Sequence, residues 1–129
     1  MNVLCRLAAL VLAICLGGCV HGDLAVQAIE GANLFDGTPN PPVSPANVVV
    51  RRGRIERAGP AAQTPIPSDA ERIAAAGLYV FPLNPLEPIR AGADANLLLL
   101  DVNPAVEPDY LKHVVGRMEI GRWTKYLSR

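Results

Sequence analysis

Asn47-Val48-Val49-Val50-Arg51-Arg52-Gly53-Arg54-Ile55 reads as two strands folded about a tight turn. The three valines are β-branched, stiff at χ1 and suited to a pleated, half-buried surface. Gly53 has no Cβ and takes a positive φ freely, as a two-residue hairpin turn demands. Arg51, Arg52, Arg54 and Arg57 crowd around that turn as a local basic cluster. Such charge protects a solvated hairpin edge from pairing with other chains. Alternate residues of a strand face one way, so part of the cluster also suits anionic lipid or a partner. Both readings stay open.

The same grammar extends along the chain. Aliphatic runs at Ala25–Leu34, Asn47–Arg51, Ile55–Ala58, Leu78–Phe81, Asn96–Asp101 and Arg117–Ile120 are the expected strands. Turn residues bound each run, among them Asp36-Gly37, Gly59-Pro60, Gly77, Gly92, Pro104 and Gly121. Pro108 to Val115 is expected to form one short helix, with Glu107 or Asp109 in its first turn. No internal repeat is visible. Short strands at this spacing predict an all-β fold, a small antiparallel β-sandwich or open barrel.

Composition agrees with this reading. Half of the 129 residues are hydrophobic but only 5% are aromatic, so the core must be built from Ala, Val, Ile and Leu. Eleven glycines and twelve prolines make the chain rich in loops. One domain is expected at this length. Twelve Lys and Arg balance twelve Asp and Glu, without the basic excess of a nucleic-acid binder. The same figures exclude a coiled coil, a collagen, a disulfide scaffold and a polytopic membrane protein.

The first twenty residues read as a targeting segment. Leu7 to Leu16 is an unbroken apolar run behind Arg6. It is shorter than the ~20 residues that span a bilayer, and it has the length of a helical signal-peptide core. Leu16-Gly17-Gly18-Cys19 resembles the bacterial lipobox. That resemblance implies cleavage before Cys19 and lipidation of its sulfur. The expected organisation is a lipoprotein signal peptide at 1–18, an anchor linker at 19–24 and a β-domain at 25–129. Cleavage would discard Cys5 and Cys15, so the mature chain could form no internal disulfide. Val20 rather than Asp follows the cysteine. Among lipoproteins of this kind, that implies export to the outer membrane, facing the periplasm.

Two blocks of the β-domain resemble the amidohydrolase superfamily, and within it the imidazolonepropionase-like metal-dependent hydrolases. The first runs through Ala32-Asn33-Leu34-Phe35-Asp36-Gly37-Thr38, the Asn47–Ile55 hairpin, Gly59-Pro60, and Ala70 to Pro82, which ends in Gly77-Leu78-Tyr79-Val80-Phe81-Pro82. The second holds Ala91-Gly92-Ala93-Asp94-Ala95-Asn96, the leucine run Leu97–Leu100, Asp101-Val102-Asn103-Pro104, and a closing strand within Val114–Trp123. Asn96 stands where that family usually has Asp. The resemblance implies that both blocks pair into one composite β-sandwich. In the family a metal-binding (β/α)8 barrel lies between them, beginning with Asp-x-His-x-His. Here only the seven residues Leu83–Ile89 separate the blocks. A barrel takes ~200 residues or more, so it is missing from this position.

Counting the chemistry leads the same way. Amidohydrolase catalysis uses one or two divalent metals, such as zinc, to activate water. Its ligands are several His, an Asp, and often a carboxylated Lys or a Glu. This chain has two histidines, His21 and His113, and two lysines, Lys112 and Lys125, with no His-x-His. No catalytic, cofactor-binding or metal residue is therefore assigned. His113 reads as a solvated helix residue, and Asp94 and Asp101 as solvated strand ends. Ser44, Ser68 and Ser128 have no neighbouring His or nucleophile-elbow glycines. Trp123 is either core or a cap on an exposed sheet face.

By resemblance the chain descends from a hydrolase of non-peptide carbon–nitrogen bonds, without the catalytic machinery. The alternatives are a membrane-tethered, non-catalytic binding module and a non-functional deletion remnant. A sheet face that a barrel once covered would be bare. Self-association or a protein partner is expected there, with Leu83, Leu86 and Trp123 nearby. No nucleic-acid partner is expected.

Overall fold

The structure is a computed structural model, and it describes residues 25–126. The predicted signal segment and Cys19 lie outside the described residues. Eight strands form one sheet: β1 (Val26–Leu34), β2 (Val43–Arg51), β3 (Arg54–Pro60), β4 (Glu71–Ala74), β5 (Tyr79–Pro82), β6 (Leu97–Leu100), β7 (Val114–Glu119) and β8 (Arg122–Tyr126). Their order is β3-β2-β1-β5-β6-β7-β8, with β4 also on β1. The all-β expectation is met.

The sheet is mixed rather than purely antiparallel. β1 pairs antiparallel with β2 along one edge. Its other edge takes β4 and then β5, both parallel. The register of β1 against β2 shifts between Glu30 and Ala32. Buried Asn47 serves the irregularity: its Oδ1 accepts from Gly31 N at 3.0 Å, and its Nδ2 donates to Thr64 O at 3.0 Å. β4 escaped the sequence reading because its four residues offer one buried apolar side chain, Ile73. Hydrogen bonding to β1 makes it a strand, and Arg72 closes on Glu30 at 2.7 Å beside it.

The two resembling blocks join directly. β5 ends the first block and β6 opens the second, and they pair antiparallel from Tyr79↔Leu100 to Pro82↔Leu97. The two blocks therefore pair as expected, and one sheet carries both. The sheet folds over a single aliphatic core, in the manner of a small sandwich. Ile29 of β1 and Val48, Val50 and Ile55 from the first block pack with Leu97, Leu99 and Met118 from the second. Each full burial of this kind stabilises by roughly 1.5–3 kcal/mol. Gln27 fastens the last strand to the first. Its Nε2 donates to Gly121 O at 2.7 Å, and its Oε1 accepts from Trp123 Nε1 at 2.8 Å.

Two boundaries differ from expectation near the C-terminus. The expected helix Pro108–Val115 is a 3-10 turn at Tyr110–His113. Val114 and Val115 leave it because β-branched residues suit the sheet, and β7 pairs with β6 from Val114 onward. Arg117–Ile120 was expected as one strand. The chain instead reverses at Ile120-Gly121, and β8 returns along β7.

Candidate functional site

Leu83–Ile89, where the resembling family inserts its barrel, is a well-fastened loop. Leu83 N donates to Asn96 O, and Ile89 N to Asp36 O at 2.8 Å. Asn84 turns the loop, accepting from Leu86 N through Oδ1 and from Glu87 N through its carbonyl. Ile89 then drops into the core. Asp36 at the loop's foot is a turn residue, as expected, its Oδ1 accepting from Thr38 N and Oγ1.

Beside this loop, the sheet face away from the core is largely covered by the chain itself. All four leucines of β6 are buried, although Leu98 and Leu100 alternate away from the core. Phe35 packs on Tyr79 and Phe81, and Tyr110 on Phe81 at 5.3 Å, so the Tyr110–His113 turn lies over β5. A recess of about 470 Å³ remains, lined by Leu83, Leu98, Leu111, Val114, Arg117 and Lys125. Leu86 stands clear of the surface at 87% exposure. Trp123 is not on this face. It packs on the core, where a Cβ on Gly116 would sit between its ring and Leu99. The expectation that Trp123 joins Leu83 is thus corrected. The turn into β8 swings the indole to the core side.

The titratable residues singled out in the sequence are dispersed. His113 Nδ1 lies 3.2 Å from Asp101 Oδ1, and Asp101 N donates to His113 O. This exposed pair ties the 3-10 turn to the end of β6. Asp94 is at the far end of the sheet, bridged to Arg54 through the backbone. Among the described residues no three His, Cys, Asp or Glu side chains converge on a metal-sized site. Cys19, His21 and Ser128 lie outside the described residues.

The basic cluster is divided by the hairpin. Arg51 pairs with Glu56 at 3.3 Å and Asp69 at 3.9 Å. Arg57 lines a shallow recess with Val49, Pro65 and Ile66. Arg52 and Arg54 are exposed at the tip, and no carboxylate among the described residues pairs with them. A second hairpin tip, Ile120-Gly121, rests against this first one. Gly121 approaches so closely that a Cβ there would come within 2.7 Å of Gly53 Cα. Asn96, just ahead of β6, holds the second tip: its Oδ1 accepts from Ile120 N at 2.7 Å. Next to it, Ala95 N donates to Gly53 O and Gly121 N to Ala95 O. Sequence reading missed this junction. Its one local signal was a second turn glycine behind a strand.

No family model matches the chain, and no curated protein matches it. Among solved structures it is similar to a molinate hydrolase, at 30% identity over 47% of this chain and 13% of that one, TM-score 0.43. A putative prolidase from Bifidobacterium longum is 26% identical over 46% of this chain and 15% of that one, TM-score 0.42. A β-aspartyl dipeptidase from Fervidobacterium islandicum AW-1 is 20% identical over 46% and 15%, TM-score 0.37. These neighbours are amidohydrolase-superfamily enzymes. The chain spans 13% to 15% of their length, too slight an overlap to assign an activity.

Proposed function

We propose that this β-domain is a non-catalytic derivative of an amidohydrolase-type hydrolase, tethered to a membrane by lipid on Cys19. One observation carries the first half of the reading: β5 pairs directly with β6 across Leu83–Ile89. The sheet is closed through the place where the resembling family inserts its catalytic barrel, and the intervening loop is bonded at both ends. The tether rests on Leu16-Gly17-Gly18-Cys19. The purified protein is expected to bind no stoichiometric zinc and to turn over no amide, cyclic imide or ring carbon–nitrogen substrate. Stoichiometric metal by elemental analysis, with turnover that a chelator abolishes, would overturn this. For the tether, Cys19→Ala should release the protein from membranes or block processing. Unchanged partitioning of that variant would refute it.

The partner proposed for the outer face is a second copy of the chain. Leu86 is an exposed apolar knob followed by Glu87, and the recess offers apolar walls with Lys125 in its lining, beside an Arg117 that already pairs with Glu119. Knob and recess thus match in both polarity and charge. Leu86→Asp should reduce self-association in light scattering at high protein concentration. A wild-type chain that stays monomeric there excludes this pairing.

A further inference from the structure

The knob and the recess of the proposed self-association stand close together, and that placement restricts how two copies can meet. Leu83 lines the recess, and Leu86 is the knob three residues further along. Their Cα atoms are at most about 11 Å apart. The turn that raises the knob is held at its base. Asn84 accepts from Leu86 N at 3.0 Å through Oδ1, and from Glu87 N at 2.9 Å through its carbonyl. Glu87 therefore sits on the same fastened turn as Leu86, and it is exposed. At the other end of the recess is Lys125 of β8, also exposed. Phe81, Leu98, Arg117 and Lys125 stand opposite one another across β5, β6, β7 and β8. Lys125 is thus three strand spacings, about 14 Å, from β5. One patch carries an apolar knob with a carboxylate at one end and an apolar recess with an ammonium at the other. Such a patch is self-complementary under a two-fold axis, because each copy gives its knob and receives the other's. A knob and a recess on unrelated faces build an open chain instead.

We propose that two copies pair about a two-fold axis, with Leu86 of each copy in the recess of the other and Glu87 of each meeting Lys125 of the other. This rests on the self-association reading above, and adds to it the symmetry and the ion pair. Arg117 already holds Glu119 at 3.2 Å, so Lys125 is the cation left to the incoming carboxylate. A single exposed ion pair contributes little, but the two-fold axis makes every contact twice.

The test uses the full chain, half of it labelled with heavy isotopes. A carbodiimide joins carboxylates to amines that touch. Mass spectrometry should find a peptide joining Glu87 of a heavy chain to Lys125 of a light one, in a product that stops at two chains. Glu87→Gln should remove that peptide. Light scattering then reads the strength of association. Glu87→Lys and Lys125→Glu should each weaken it about ten-fold, since each variant alone sets like charges together at both contacts. Mixed in equal amounts, the two variants should associate within about three-fold of the parent. The introduced lysine then meets the introduced glutamate, and the native Glu87 of one variant meets the native Lys125 of the other. That rescue also shows that both variants fold. A joined peptide found only within single chains would overturn the proposal, as would a ladder of three and four chains carrying it. Self-association that Leu86→Asp abolishes but neither charge reversal alters would overturn the ion pair and leave the self-association reading standing. A parent chain that stays monomeric would overturn both.

Discussion

The hairpins β2–β3 and β7–β8 turn in the same way but are written differently. Arg52-Gly53 has φ values of +55° and +78°, and Ile120-Gly121 has +48° and +76°. Both carry glycine at the second left-handed position. The first was visible because three valines lead into it and a charged, soluble residue occupies the turn. The second was hidden because Ile120 reads as the last residue of a strand. What overrides its preference is tertiary: Asn96 accepts its N–H, and its Cγ2 lies against the Gly53 position. Local propensity names a turn only where the local chemistry agrees with the contacts.

The largest effect should come from the point where the tips touch. Gly121→Ala places a Cβ 2.7 Å from the Gly53 Cα, backbone that cannot swing aside, at a residue with φ of +76°. Left-handed strain and overpacking together should cost about 3 kcal/mol in denaturant unfolding. Gly77→Ala is the natural comparison, with φ of +81° and nothing within 4 Å of its Cβ. It should lose only about 1 kcal/mol. Equal losses at the two sites would break the claim that the tips are packed against each other.

A smaller effect isolates the clasp. Asn96→Ala removes the acceptor for Ile120 N and should cost about 1–1.5 kcal/mol. Asn96→Asp keeps an acceptor and should stay within about 0.5 kcal/mol of the parent. The Asp usual in the resembling family would therefore serve the same turn. An aspartate variant as damaged as the alanine one would show that the side-chain amide, not the acceptor, is what matters.

The sheet's first half was more legible than its second. Val48, Val50 and Ile55 announce a hairpin and do enter the core, although the burial of Val49 between them shows that both faces of β2 are covered. Leu97–Leu100 announced a strand but not its two covered faces. On that strand's neighbour β5, Phe81 stands beside Leu98 and packs on Tyr110, a residue far away in sequence and brought there only by folding. β4 was invisible because its two leading residues, Glu71 and Arg72, are polar and only Ile73 among its four residues is buried. Parallel pairing on β1 leaves no turn signal between partners. The site was least legible of all. The residues that carry chemistry in the resembling family are missing from the matching positions. The tip junction, by contrast, is made of glycines, one amide and backbone groups.

Substitution of the left-handed residues themselves gives the smallest and sharpest comparison. Ile120→Asn trades a poorly suited β-branched residue for one that tolerates positive φ, and most of the Ile120 surface is already in water. Stability should rise by about 0.5–1 kcal/mol. Arg52→Asn makes the same trade from an unbranched residue, so its gain should be a few tenths of a kcal/mol, roughly half as large or less. Measured together by thermal unfolding, the two differ in sequence position but not in turn geometry. A gain at position 120 larger than at 52 means that Ile120 is held there against its own preference. A loss of stability at position 120 would mean that its contact with the Gly53 turn stabilises more than the strained backbone costs, and Ile120 would then be explained by packing alone.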